Sequence, residues 1–263
     1  MNIKKNTLFF VFFALLAELI SAQNLSPRKN EIGISVGYQS SSVLDNNISA
    51  LENDQNSINY SFNFINRCKK GSDILFVDLN YTNSEYQENA SALTTTMDYN
   101  RSYLRIGFLG NLRKRQRKLK QRPFKVFLGG QIHVTSDVMK SDLAFVDNSY
   151  FITYGLGLSN AFTYDLERHS VTLLTSIPII TMISRPPEEN FNGDIKFSEV
   201  VKDADANFIG DYFALNSTVT YKYHFKDYMG FLASIGLEYQ KLSDDIEFKA
   251  FHSQFNIGIF ANL

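Results

Sequence analysis

The sequence predicts an all-β protein, a transmembrane antiparallel up-and-down β-barrel of about 10 strands, within bounds of eight to 12. Three observations support this prediction. Ten segments alternate apolar with small or polar residues, as a strand with one oily and one polar face does. A secretory leader precedes all of them. The connections between them are alternately mostly long and mostly short, which is typical of barrels that span a membrane.

The leader has the three parts of a signal peptide. Lys4 and Lys5 precede an apolar run that ends at Ile20, and small residues follow it. We therefore predict cleavage after Ala22, which leaves residues 23–263 as a single barrel domain. No later stretch approaches the roughly 20 apolar residues that a membrane-spanning helix needs.

Composition excludes several classes of protein. Without the leader the chain carries 24 basic and 26 acidic residues, a balance that argues against a nucleic-acid-binding protein. The single cysteine, Cys68, excludes a disulfide within the chain. The mean hydropathy of −0.17 agrees with a barrel, because lipid-facing and lumen-facing residues alternate along every strand. No motif calls for a cofactor.

The strand pattern also suits a secreted β-sandwich, which alternates in the same way. Segments of about 10 residues, the length of a tilted strand that crosses a bilayer, favour the barrel. So do the 37 Tyr and Phe residues, which gather near strand ends as an aromatic girdle does. The third and seventh segments are apolar on both faces in places, so their register is the least determined. The segments lie near 32–38, 58–64, 75–81, 104–108, 124–134, 152–162, 171–179, 213–223, 233–239 and 255–263.

The connections predict the orientation. An even number of strands places both termini on one side, which in this class of barrel is the periplasm. Odd-numbered connections hold 19 acidic and 5 basic residues, whereas even-numbered ones hold 4 acidic and 12 basic residues. We expect the odd set near 40–56, 82–98, 136–149, 183–211 and 240–247, and the even set near 66–73, 110–123, 165–170 and 224–229.

The connection near 110–123 is the most biased stretch of the chain, with 7 basic residues and no acidic residue. Such a patch attracts anionic lipid headgroups or an acidic protein partner. The simpler interpretation is a solvated turn. The candidate docking residues are Arg113, Lys114, Arg115, Arg117, Lys118, Lys120 and Arg122.

Parity along the strands directs a set of charged residues toward the lumen. Charges in that position must pair or meet water, since burying them alone is costly. A barrel of eight strands has room only for side chains, and open aqueous channels belong to about 16 strands or more. The sequence therefore predicts a plugged or very narrow lumen, with a slender selective pore as the alternative. The predicted lumenal charges are Asp78, Arg101, Arg105, Lys125, Lys222 and Glu238.

Catalytic chemistry finds little support. His133 and His252 are predicted on the lumenal side near the outer ends of their strands, but Ser136 and Ser253 point to the opposite face. Glu238 offers His252 an acid–base partner without a nucleophile. We assign no catalytic residue.

A metal site is equally weak. Asp203-x-Asp205-x-Asn207 begins like a calcium-binding loop. The positions that should hold Gly and Glu in such a loop are Phe208 and Ala214. We therefore predict no metal ligand.

By its leader, its alternating connections and its terminal strand Phe255–Leu263, the chain resembles the small outer-membrane β-barrel proteins of Gram-negative bacteria. In that class the last strand usually ends in an aromatic residue, whereas this chain ends in Leu263. No motif assigns it to the omptin proteases, the deacylases or a porin family. The resemblance implies an outer-membrane location, contact with outer-membrane lipids and lipopolysaccharide, and periplasmic termini.

The leading functional hypothesis is a non-enzymatic subunit or scaffold of an outer-membrane complex, with other outer-membrane or periplasmic proteins as partners and no nucleic acid. A narrow channel or ligand-binding barrel is the second hypothesis. A surface lipid hydrolase using His133 or His252 is the third.

Overall fold

A computed structural model describes residues 29–45, 49–67, 73–90, 93–112, 124–141, 149–166, 168–185, 204–226, 228–243 and 247–263. The predicted signal peptide lies outside these ranges. The strands are β1 (Lys29–Asp45), β2 (Ser49–Arg67), β3 (Asp73–Ala90), β4 (Leu93–Asn111), β5 (Phe124–Ser141), β6 (Ser149–Asp165), β7 (His169–Ser184), β8 (Asp205–Phe208), β9 (Tyr212–Lys226), β10 (Met229–Leu242) and β11 (Phe248–Asn262).

Ten of these strands close into an antiparallel barrel. Each of them pairs with its neighbour in the chain, except that β7 pairs with β9, and β1 closes the ring against β11. The short strand β8 pairs with residues Ile180–Ile183 of β7. The predicted ten-strand, up-and-down barrel is confirmed. Within the described ranges, no helix is long and apolar enough to cross a membrane.

The barrel strands are longer than predicted, at 14 to 19 residues. The predicted connections near 40–56 and 82–98 are therefore wrong, because only residues 46–48 and 91–92 lie between the strands there. The strands continue past the apolar band, since the ladder of backbone hydrogen bonds persists whatever the outward side chain is. The regular difference in length between odd and even connections disappears with this extension.

We call the end of the barrel that holds both strand termini, Lys29 and Asn262, the terminal end, and the opposite end the distal end. The outward face near the terminal end is apolar, with Ile34 54% and Ile257 57% exposed. Toward the distal end of β1–β4 that face becomes polar. Exposed polar residues on this distal surface are Ser40, Asp54, Asn56, Asn83, Asp98 and Ser102.

The register of β7 corrects one expectation. A β-bulge occurs where Gly157 pairs with Pro178 and Leu156 with Ile180, so that Ile179 is an extra residue. Proline has no N–H for the ladder and is found at such irregular positions. Beyond the bulge the faces exchange: Ile180 is exposed, and Ile183 faces the lumen. A strict period of two does not reveal this change.

Candidate functional site

The lumen contains a polar cavity toward the terminal end of the barrel. The space between the protein atoms there, together with the solvent that it opens to, measures about 810 Å³. Acidic, basic and amide side chains line one side of it, whereas Phe76 and Leu174 belong to an apolar wall on β3–β7. The charged residues of the lining are Glu31, Asp78, Arg105 and Lys222.

Arg105 lies at the centre of this cavity wall. Its Nε and Nη2 donate to Asp78 Oδ2 at 3.1 and 2.6 Å, and its Nη1 donates to Ser176 Oγ at 2.8 Å and Asn216 Oδ1 at 3.2 Å. The guanidinium also lies 5.4 Å from the centre of the Phe76 ring. A buried guanidinium needs such a full set of acceptors, because each unpaired N–H costs free energy.

A second charged layer lies nearer the distal end, around Arg101. Its Nη2 donates to Glu238 Oε1 at 2.5 Å, and its Nη1 lies 3.5 Å from Asp137 Oδ1. Tyr99 donates its hydroxyl hydrogen to Asp137, and Gln240 Nε2 donates to Glu238 at 2.5 Å. Asn216 Nδ2 donates to Glu238 Oε2 at 3.1 Å and also contacts Arg105, so it joins the two layers. The bonds therefore form one continuous network across the barrel.

A third pair lies near the terminal end. Lys222 on β9 donates to Glu31 on β1, and Arg67 Nη2 lies 3.9 Å from Glu31 Oε2. Lys222 also lies 5.7 Å from the centre of the Phe260 ring. The bond connects β1 to β9, which are three strands apart around the ring, through the lumen.

Of the six predicted lumenal charges, five enter these buried layers. Lys125 does not: its Nζ lies 2.8 Å from Asp165 Oδ2 at the terminal rim, with 37% of its side chain exposed. All seven residues of the predicted basic docking patch lie outside the described residues, so the structure places none of them.

Sequence reasoning missed two acidic members of the network. Glu31 follows the same parity as Gly33 and Ser35, so extending β1 by one alternation assigns it to the lumen. Asp137 was placed in a predicted connection, but β5 continues to Ser141 and keeps it inside, only 2% exposed. Both residues lie in parts of β1 and β5 that extend beyond the predicted strand segments, so the underestimated strand length is why the sequence did not assign them to the lumen.

An apolar plug closes the lumen toward the distal end. Its side chains come from eight of the ten barrel strands and include Phe151 and Phe248, whose rings stack with their centres 3.8 Å apart. Phe248 is fully buried, and Phe151 is 1% exposed. The members are Val43, Tyr99, Met139, Phe151, Ile183, Tyr212, Ala214, Leu242, Phe248 and Ala250.

Two of the histidines, His133 and His252, lie in the lumen beneath this plug. His252 Nδ1 lies 2.8 Å from Ser41 Oγ, a contact that arises from the closure of β1 on β11 and that alternation along one strand does not predict. Glu238 is directly opposite His252 in the strand register, but its carboxylate binds Arg101. His133 is 3% exposed, and neither ring nitrogen has a hydrogen-bond partner among the described residues. In a hydrolase triad a carboxylate is hydrogen-bonded to the histidine. Among the residues that the structure describes, no carboxylate is hydrogen-bonded to His252 in the buried Ser41–His252 pair.

Polar residues at the distal end form local contacts. Asn207 Nδ2 donates to the Asp205 carbonyl oxygen at 3.2 Å, and the described residues contain no cluster of metal-ligating side chains. In the connection between β10 and β11, a hydrogen bond from Lys249 at 2.8 Å lowers the pKa of Glu247. These two surface contacts lie in different connections and do not form one binding site.

Comparison with known proteins supports the architecture. No family model and no curated protein sequence matches the chain. The outer membrane protease OmpT from Escherichia coli superposes with a TM-score of 0.54 at 10% identity, over 92% of this chain and 99% of that one. This chain has the fold of an outer-membrane β-barrel. The Ail protein of Yersinia pestis, solved with the heparin analogue sucrose octasulfate, reaches a TM-score of 0.40 at 12% identity over 88% of this chain and 98% of that one. At 10% identity, the likeness to OmpT carries the fold and nothing of that protein's activity.

Proposed function

We propose that the protein is a closed, non-enzymatic outer-membrane barrel that acts as a subunit or scaffold of a membrane protein complex. The observation that supports this proposal best is the distal apolar plug, below which the charged network spans the lumen. A permeating ion would meet stacked aromatic rings at one end and paired charges beneath them. A barrel whose interior is filled in this way works through its surfaces.

The proposed orientation places the terminal end in the periplasm and the distal end outside the cell. The polar outward face at the distal ends of β1–β4 supports it, because those residues lie beyond the apolar band. The segments 142–148, 186–203 and 244–246, which connect the strands at the distal end, hold 9 acidic and 2 basic residues, and this excess agrees with an exposed outer surface. Protease treatment of intact cells should then cleave a tag inserted at residues 186–203, and should spare a tag at the C-terminus.

Planar-bilayer recording tests the closed lumen. We expect the purified protein to give no discrete conductance steps, because the plug excludes water. The double variant Phe151→Ala with Phe248→Ala removes the central ring stack and should produce steps or leak current. Regular steps from the unaltered protein would contradict the proposal and favour the narrow channel.

The proposed docking surface is the basic patch Arg113–Arg122, which would lie at the periplasmic rim. Replacing Arg113, Arg115 and Arg117 by Glu should release an acidic partner that co-purifies in mild detergent. The matched control replaces Lys69 and Lys70 by Glu in the neighbouring even-numbered connection. Equal co-purification of all three proteins would exclude docking through this patch.

A ligand-binding barrel is the second candidate, and the polar cavity favours it. Hydroxyl, amide and charged groups surround a space that a small polar molecule could occupy. Native mass spectrometry of the purified protein should then show an added mass, which the cavity-filling variant Thr218→Phe removes. An unmodified mass under conditions that preserve bound lipid would exclude a retained ligand.

A further inference from the structure

A short polar stripe interrupts the lipid-facing surface on three adjacent barrel strands. Asn160 on β6 is the register partner of Thr175 on β7, which is in turn the partner of Ser217 on β9. Their chain neighbours Ser159 and Ser176 are each only 1% exposed and face the lumen. Because side chains alternate along a strand, the three polar residues face outward.

The stripe lies within the apolar band rather than at its edge. On β6, the outward neighbours of Asn160 are Leu158 and Phe162, which are 55% and 38% exposed. Each outward neighbour is two residues away, about 7 Å along the strand. Thr175 and Ser217 also have apolar outward neighbours on both sides, namely Leu173, Ile177, Leu215 and Val219.

The opposite side of the barrel has no such interruption. The outward positions of β1 from Ile32 to Tyr38 and of β3 from Leu75 to Tyr81 are all apolar. β1 is five strands away from β6 in either direction around the ring. The polar stripe therefore marks one side of the barrel.

Hydrogen bonding within the chain satisfies the stripe only in part. The hydroxyls of Thr175 and Ser217 lie 3.2 Å apart and bond to each other across the strands. Asn160 Oδ1 is buried and has no hydrogen-bond partner in the part of the chain that the structure describes. The Asn160 side chain as a whole is half-buried on the outward face, and hydrocarbon offers no partner to an amide, so leaving this side chain to lipid is costly.

The surface beside Asn160 allows another backbone to approach closely. Gly130 on β5 is exposed and lies next to Asn160 on the diagonal, because its outward neighbour Leu128 is the register partner of Asn160. A Cβ atom built on Gly130 would meet only the Gly157 carbonyl oxygen within 4 Å, at 3.7 Å. Where transmembrane helices pack together, small and hydrogen-bonding residues are enriched because they let backbones approach closely, and the same close approach is open here.

We propose that this stripe is a membrane-embedded interface for a second copy of the same chain. An amide both donates and accepts hydrogen bonds, as do the two hydroxyls, and none of the three carries a charge. A two-fold axis near Asn160 therefore pairs the amide of one copy with that of the other, which gives a self-complementary interface. Rotation of the amide about χ2 presents either its donor or its acceptor. This inference does not depend on the proposed scaffold function.

Cysteine crosslinking in native outer membranes tests the proposal. Asn160→Cys in a Cys68→Ser background should give a disulfide-linked dimer of twice the monomer mass on oxidation. The matched control is Ile34→Cys, a lipid-facing position 54% exposed on the far side of the barrel, which should remain monomeric. Equal crosslinking at both positions, no crosslinking at residue 160, or a link to a protein of another mass would each overturn the second-copy interface.

A substitution then measures the contribution of the amide. Asn160→Leu should raise the dimer dissociation constant in detergent about tenfold, as expected for losing membrane hydrogen bonds that are made symmetrically. Leucine suits a lipid-facing strand, and a heat-modifiable band on electrophoresis verifies that the barrel has folded. A folded variant with an unchanged dissociation constant would overturn the role of Asn160. A monomeric unaltered protein would overturn the interface itself, whatever the bilayer recordings show.

Discussion

The two ends of the lumen are filled by different means. Toward the distal end, apolar side chains from eight strands pack into a plug. Toward the terminal end, paired charges and amides line a polar cavity that opens to solvent. Packing excludes water at one end, whereas at the other polar groups satisfy one another around an open space. The contrast shows that one ring of strands supports both a dry core and a polar interior, according to which side chains occupy the inward positions.

The largest effect should come from breaking the polar network that joins the two regions. Arg101→Ala leaves Glu238 and Asp137 without their shared cation, and we expect the free energy of unfolding to fall by about 3–5 kcal/mol. Urea unfolding in lipid vesicles measures this change. Adding Glu238→Gln should recover part of the loss. A loss below about 1 kcal/mol would mean that water reaches these charges, which would favour a channel.

The next largest effect should come from the plug. Phe248→Ala removes a fully buried ring that stacks on Phe151, and the resulting cavity should lower the free energy of unfolding by about 3 kcal/mol. The control is Phe251→Ala on the same strand, whose outward ring is 46% exposed and leaves no internal cavity. Similar losses for both variants would show that the distal lumen is loosely packed.

How far the sequence predicts this arrangement depends on the range of each interaction. Alternation is local, so parity alone assigned Asp78, Arg105 and Glu238 to the lumenal side, and the ring of ten strands followed from counting such segments. The pairing of Arg101 with Glu238 joins residues 137 positions apart. That contact depends on how the strands are staggered around the ring, which the alternation of one strand does not encode.

The plug was beyond prediction for a different reason. Its members Val43, Met139, Ile183 and Leu242 fall within segments that the sequence predicts to be connections. Past the apolar band of β1–β4 the outward residues are polar, and inward residues such as Gln55 and Ser84 are polar as well, so the alternation that identified the strands is lost there. In such a segment, a strand and a polar loop have similar amino-acid compositions. Only the backbone hydrogen bonds to the neighbouring strands distinguish the two.

Two glycines of β1, Gly33 and Gly37, test the difference between the open and the packed parts of the lumen. A Cβ atom on Gly37 would lie 1.9 Å from the Phe255 carbonyl oxygen, whereas on Gly33 it would lie 3.0 Å from a flexible Leu232 methyl group beside the cavity. Gly37→Ala should therefore lower the free energy of unfolding by about 1–3 kcal/mol. Gly33→Ala should change it by no more than about 0.5 kcal/mol. The reverse order would contradict the location of the cavity.

The smallest effect should come from the rim, where a charge pair is not enclosed by the network. Lys125 and Asp165 have side chains 37% and 29% exposed, so solvent screens their attraction at 2.8 Å. Lys125→Ala should cost about 0.5 kcal/mol or less, and added salt should reduce the difference further. Urea unfolding at low and high salt measures both. If Lys125→Ala cost as much as Arg101→Ala, burial would not be what distinguishes the pairs, and the strength of the lumenal network would need another cause.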